Sequence, residues 1–241
     1  MLSEHYEKLL QDGSASFGLN LSQEQVHKFS LYAKLLVEWN EKINLTAISD
    51  DEGIVIKHFL DSLSLFPMIP KMSGALIDIG TGAGFPGIPL KIAGENLQVT
   101  LLDSLEKRVK FLSEVYTTLQ LNGITAVHGR AEDFGIDKQY RERFDIAVAR
   151  AVAALPVLLE YCLPFVKVGG LFMAMKGPDV KEELQESQKA LEVLGGELIE
   201  TKSFSLPYGN YERCVVVVRK CRHTPSAYPR KSGKPTKLPI K

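Results

Sequence analysis

The sequence predicts an α/β fold: a seven-stranded, mostly parallel Rossmann-like sheet with a terminal antiparallel strand, helices on both faces, and an N-terminal helical extension. Three observations predict it. Short apolar runs alternate with amphipathic helical stretches from about residue 75 onward, a pattern that builds a parallel sheet covered on both faces. A glycine-rich segment follows the first of those runs. The last two runs are joined by a connection too short for a helix, so they pair antiparallel.

Residues 1–70 read as helices. Ser22-Gln23-Glu24-Gln25 is a capping box, in which a hydroxyl takes an orphan amide and the side chain three residues on returns the bond. The helix it opens places Val26, Phe29, Ala33, Leu36 and Val37 on one face. Asn44-Leu45-Thr46 falls in a loop. Ser49-Asp50-Asp51-Glu52 reads as a second capping box, opening a helix that runs to about Phe66 and is closed by Pro67 and Pro70. Strands are then expected at 75–78, 99–102, 124–128, 144–149 and 171–175, and helices around 88–93 and 109–119. One helix is expected over 179–194, followed by a hairpin of 197–204 and 214–219. These readings divide the chain into a helical subdomain (1–70), a sheet domain (71–220) and a basic, proline-containing tail (221–241). With Pro225, Pro229, Pro235 and Pro239 among basic residues, the tail is expected to be an extended arm.

A chain of 241 residues, 45% hydrophobic and 24% charged, can bury its own core without disulfide or metal staples. The three cysteines, Cys162, Cys214 and Cys221, are odd in number and form no C-x-x-C pair. They fit neither a disulfide framework nor a zinc site. The N-terminus lacks a signal-peptide pattern, and no apolar run reaches membrane-spanning length. The expectation is a cytoplasmic monomer with no membrane association and no metal. The zero net charge is uneven: from Arg219 onward there are eight basic and no acidic residues, leaving 21 basic against 29 acidic elsewhere. A basic tail on an acidic body suggests a polyanionic partner. Arg230, Lys231, Lys234 and Lys237 are its candidate phosphate contacts.

The strongest local signal is Asp78-Ile79-Gly80-Thr81-Gly82-Ala83-Gly84-Phe85-Pro86-Gly87. Glycines permit a tight turn and close approach to a ligand, and a following helix offers free amides. Asp103 ends the next strand, where a ribose-binding acid is expected. The stretch from Gly82 to Gly87 also fits a dinucleotide fingerprint. The early Gly80 and the preceding Asp78 favour S-adenosylmethionine, because a carboxylate near that cofactor's cationic end attracts it and would repel a pyrophosphate. Asp78 as a structural cap of the loop is the alternative. Gly129-Arg130-Ala131-Glu132-Asp133 follows the third strand, where Ala131 and Glu132 would meet an adenine.

The fourth strand ends Val148-Ala149-Arg150-Ala151-Val152. It lacks the Asn/Asp-Pro-Pro-aromatic signature of exocyclic-amine methylation, and the chain has no Pro-Cys pair for attack on a pyrimidine. Guanine N7 carries a lone pair and no proton, so its methylation needs positioning and water exclusion but no base. Arg150, at the carboxyl end of a strand, is placed to hydrogen-bond guanine, phosphate or the cofactor carboxylate; a structural ion pair is the alternative. His58 and Asp61, three apart on one helix face, are candidates to orient a base. Lys176, at the end of the fifth strand, is a candidate phosphate contact.

Taken together, Asn44-Leu45-Thr46, His58-Phe59-Leu60-Asp61-Ser62, the loop Asp78 to Leu90, Gly129 to Asp133, Phe144 to Val152 and Pro229-Arg230-Lys231-x-Gly233-x-Pro235 resemble one family. It is the bacterial small-subunit ribosomal RNA guanine-N7 methyltransferases, RsmG, formerly glucose-inhibited division protein B. The resemblance covers essentially the whole chain, and Phe85-Pro86-Gly87-Ile88-Pro89-Leu90 is far more specific than glycines alone. It implies a class I methyltransferase fold, S-adenosylmethionine as cofactor, and 7-methylation of one guanine in the decoding-region loop of 16S rRNA. The substrate would be the 30S subunit or an assembly intermediate. It further implies that Gly80, Phe85, Ala131, Glu132 and Arg150 line the cofactor site, and it strengthens His58 and Asp61 as functional residues. Two readings compete. An NAD-dependent oxidoreductase would leave the tail unexplained and lacks a second substrate domain. A non-catalytic RNA-binding protein would not need the glycine loop or Asp103.

Overall fold

The computed structural model describes residues 1–241, apart from the side chain of Lys71. Strands β1 (Gly74–Ile79), β2 (Leu97–Asp103), β3 (Ile124–His128), β4 (Phe144–Arg150), β5 (Val166–Lys176), β6 (Gly196–Ser205) and β7 (Glu212–Lys220) form a single sheet. Its order is β3-β2-β1-β4-β5-β7-β6. The first five strands run parallel, β7 is antiparallel to β5, and β6 is antiparallel to β7. Strand order reverses between β1 and β4, which opens a crevice above their carboxyl ends, the usual ligand position in such sheets.

Alternation along the strands divides the core. Leu76, Val99, Leu101, Val148 and Met173 face one side, and Ile77, Leu102, Ala147, Phe172 and Ala174 the other. The first side is covered by helices Gln23–Ile43, Gly87–Ala93 and Glu106–Thr118, the second by Leu155–Cys162 and Gln188–Leu194. Residues 1–70, expected as a helical subdomain, share one apolar core with the first face: Leu10, Phe29, Tyr32 and Phe59 are buried with Val99 and Val148.

Three local expectations are corrected. The Ser22 capping box forms as read, but the second helix is capped one residue later. Asp50 Oδ1, not Ser49, accepts from the Gly53 amide at 2.7 Å; a carboxylate suits the positive end of a helix. That helix widens to π geometry over Ile54–Leu60. The helix expected over 179–194 breaks at Ser187, which is buried and donates its hydroxyl to Glu183 O at 2.6 Å, giving Lys181–Glu186 and Gln188–Leu194. The tail is not an extended arm. Arg230 pairs through its Nε and Nη2 with the buried Glu160, at 2.5 to 3.1 Å. Arg141 gathers the carbonyls of Thr224 and Tyr228. Composition shows that the tail has no apolar core of its own; it cannot show that buried carboxylates elsewhere hold it by polar bonds.

Candidate active site

The glycine loop is shaped from below by Asp78. This side chain is fully buried, and its Oδ2 accepts from the Thr81 hydroxyl (2.6 Å) and the Gly87 amide (2.8 Å), tying both ends of the loop. Its Oδ1 has no partner. Burial pushes the carboxyl up to about 6 against the pull of those hydrogen bonds. Asp78 therefore caps the loop through Oδ2, the structural role that the sequence left open beside a cofactor contact. Its side chain follows the alternation of β1 down beneath the turn.

A cleft of about 150 Å³ opens on the other side of the loop. Gly80, Asp103, Arg130, Ala131, Glu132 and Tyr161 contribute to its walls. Asp103 spans the loop and the next turn: Oδ2 accepts from Gly82 N and Oδ1 from Leu105 N, each at 2.9 Å. Gly80 has φ +69°, and a Cβ there would lie 2.7 Å from Val152 Cγ2, so only glycine fits. Gly82 stands beside the cleft through its bond to Asp103. Gly84 and Phe85 do not reach the wall. The chain after Gly82 turns inward, where Phe85 is 4% exposed and stacks between Tyr32 and His58 at centroid distances of 5.3 and 4.5 Å.

Arg150 lies outside this cleft, in a neighbouring pocket of about 650 Å³ that also includes Lys57, His58, Asp61, Lys176 and Arg213. Asp61 is clamped there between two arginines: Oδ2 accepts from Arg150 Nη1 at 2.7 Å and Oδ1 from Arg213 Nε at 2.9 Å. Arg150 also donates to Lys57 O at 3.1 Å, reaches His58 Nδ1 at 3.3 Å and lies over the Phe85 ring at 5.0 Å. A guanidinium only donates, so His58 Nδ1 accepts and the ring proton sits on Nε2, facing Thr46 Oγ1 at 2.9 Å. Burial, reinforced by Arg150, pushes the imidazole down to about 3. His58 is thus neutral at pH 7 and holds the arginine rather than exchanging protons. Lys176 pairs with Glu183 at 2.7 Å and donates to Ala153 O at 3.0 Å.

The two cavities share one partition. Ala151, at φ +56°, lines the larger, and the adjacent Val152 lines the cleft. Such a pair suits a group transfer between two separately held molecules. Among the described residues, no cluster of three or more His, Cys, Asp or Glu side chains could hold a metal ion.

The family model described as rRNA small subunit methyltransferase G matches residues 25–212. The chain belongs to that family. The ribosomal RNA small subunit methyltransferase G of Acetivibrio thermocellus is 59% identical over 233 residues, covering 97% of this chain and 96% of its own. The protein of the same name from Desulfitobacterium hafniense is 51% identical over 240 residues, spanning the whole of both. Among solved structures, TYW2 of P. horikoshii in complex with MeSAdo aligns with a TM-score of 0.50 at 14% identity, over 83% of this chain and 64% of that one. The architecture is the class I methyltransferase fold, as the sequence predicts. Membership in the methyltransferase G family sets aside the oxidoreductase alternative.

Sequence reasoning missed several members of this site. Val152 and Arg130 adjoin residues already singled out, so neighbourhood was the available signal. Tyr161 lies beside Cys162 on an apolar helix and gave none. Arg213 meets Asp61 from 152 positions away, and nothing local announces that pairing. Of the expected phosphate contacts, Lys231, Lys234 and Lys237 are exposed, whereas Arg230 is half-buried on Glu160. Among the described residues, no helix is long and apolar enough to cross a membrane.

Proposed function

We propose that this chain binds S-adenosylmethionine in the cleft above β1, β2 and β3 and directs its methyl group to N7 of a guanine in the decoding-region loop of small-subunit rRNA. It acts as a cytoplasmic monomer on the 30S subunit or an assembly intermediate, without a metal. The observation that carries the reading is the pair of cavities that meet at residues 150–152, with Arg150 and Ala151 lining the larger and Val152 the cleft. The cleft fits the cofactor's adenosine: Asp103 offers a buried carboxylate to ribose hydroxyls, and the backbone around Ala131 and Glu132 borders the remaining wall. When bound, the cofactor supplies an electrophilic methyl on sulfur, whose carbon–sulfur bond electrons stay on sulfur as the N7 lone pair forms the new bond.

The protein's own contribution is placement. N7 loses no proton, so a neutral His58 and a doubly paired Asp61 suffice, since neither needs to act as a base. Arg150, fixed by Asp61, His58 and Lys57 O, is oriented to donate to guanine or an adjacent phosphate. Lys57, Arg150, Lys176 and Arg213 outnumber the carboxylates Asp61, Asp179 and Glu183 in the pocket by one, on an otherwise acidic body. Guanine N7 in an A-form duplex faces a groove that side chains cannot enter, so the substrate is a loop. The test is mapping of 7-methylguanosine in small-subunit rRNA from cells with and without the gene. Loss of one modified loop guanine, restored by the wild-type chain and not by Arg150→Ala, is expected; an unchanged map refutes the reading.

A further inference from the structure

The tail reaches the cofactor cleft. Three residues of the cleft wall are each bonded to it: Arg130 Nη1 donates to Ser232 Oγ at 3.0 Å, Glu132 Oε1 accepts from Gly233 N at 3.1 Å, and Tyr161 Oη meets Thr236 Oγ1 at 2.9 Å. The segment is pinned where it arrives. Glu160, adjacent to Tyr161 and fully buried, accepts from the Arg230 backbone amide at 2.8 Å as well as from its guanidinium. Gly233 has φ +77°, which turns its amide toward Glu132, and Pro235 is buried. Among the described residues, no other segment bonds these three side chains. Arg130, Glu132 and Tyr161 stand on two elements, a loop with its short helix after β3 and the helix after β4, and the tail bridges them.

We propose that residues 230–236 are a positioning element of the cofactor cleft. Ser232, Gly233 and Thr236 hold Arg130, Glu132 and Tyr161 in the orientation that receives the adenosine end of S-adenosylmethionine, and the Arg230–Glu160 pair fixes the segment in place. The inference rests on the methyltransferase reading. It reverses the simple expectation from composition that a basic tail serves RNA alone and can be removed without touching cofactor binding. Lys231, Lys234 and Lys237, exposed on the same segment, remain free for phosphates.

Calorimetry with S-adenosylhomocysteine, supported by thermal melts, tests it on the full chain and on four changes. Thr236→Val removes one hydroxyl and is expected to weaken binding by about threefold, the size of a single hydrogen bond; Thr236→Ser restores it. Gly233→Ala meets no neighbour within 4 Å and strains only the backbone, and should weaken binding comparably. Truncation after Pro229 should weaken it by about tenfold or more. In methyl-transfer assays Thr236→Val should raise KM for S-adenosylmethionine and leave kcat at saturation unchanged. The Thr236 and Gly233 variants keep the Arg230–Glu160 pair, so they decide the matter if the truncated chain fails to fold. Wild-type affinity in folded Thr236→Val and Gly233→Ala overturns the inference and leaves the methyltransferase reading standing. A full chain without measurable affinity overturns both.

Discussion

The cofactor cleft and the Arg150 pocket lie side by side and are built by different means. The cleft is mainly backbone: a glycine turn whose amides are held by two carboxylates, Asp78 beneath and Asp103 beside it. The pocket is side-chain charge: one carboxylate shared by two arginines, a neutral histidine and a flanking lysine. The turn that floors the first is a local device, contained within residues 78–103, and its further walls come from residues 129–132, 152 and 161. The second is drawn from the helix at 51–63, the end of β4 and the start of β7, and exists only once the sheet has formed. The part of a site that lies against a fixed cofactor can be written largely into one loop. A site that grips a base within a large RNA uses positive groups from several elements, with a buried acid to aim them.

Mutations should separate the two regions. Asp61→Ala leaves Arg150 and Arg213 without their shared partner. It should cut methyl transfer on the order of 100-fold, because breaking a partly buried ion pair costs several kcal/mol, while affinity for S-adenosylhomocysteine stays within about twofold. Equal losses in both assays would show that the regions are one unit. Asp103→Ala should do the converse, weakening cofactor binding by about 1–3 kcal/mol by calorimetry with RNA affinity unchanged in a filter-binding assay.

Stability against pH sharpens the same contrast. His58 is lowered from its ordinary 6.5 to about 3, so its contribution is present above pH 6.5 and is lost as pH falls toward 3. Asp78 is raised from 3.8 to about 6, so its contribution is present below pH 3.8 and is lost as pH rises through 6. The two slopes oppose each other between about pH 4 and 6. Denaturant melts across that range should show a flatter wild type, with His58→Phe leaving stability falling as pH rises. A His58→Phe profile parallel to wild type would show that the imidazole is not held neutral. The smallest effect belongs to the rim: replacing Lys231, Lys234 and Lys237 by Gln should reduce the salt slope of RNA binding by roughly two, the value for three phosphate contacts on single strands. An unaltered slope would remove the tail lysines from the RNA interface.

The sequence by itself determined the alternation of strands and helices, the parallel sheet with its antiparallel end, the first helix cap and the glycine loop. Each is announced by residues within one or two turns of one another: apolar periodicity decides which face is buried, and Gly80 is favoured by its own positive backbone angle. It also put Asp103 at the end of β2, which lies beside the end of β1 in such a sheet. Only the tertiary structure decided where side chains point once elements pack. Asp78 is buried and ties both ends of the loop, Phe85 turns into the core, and Asp61 is shared between Arg150 and Arg213. Arg230 is taken by Glu160, 70 positions away. Those outcomes depend on which carboxylates become buried and which cations can reach them, and burial is a property of the packed chain that no local stretch of sequence carries.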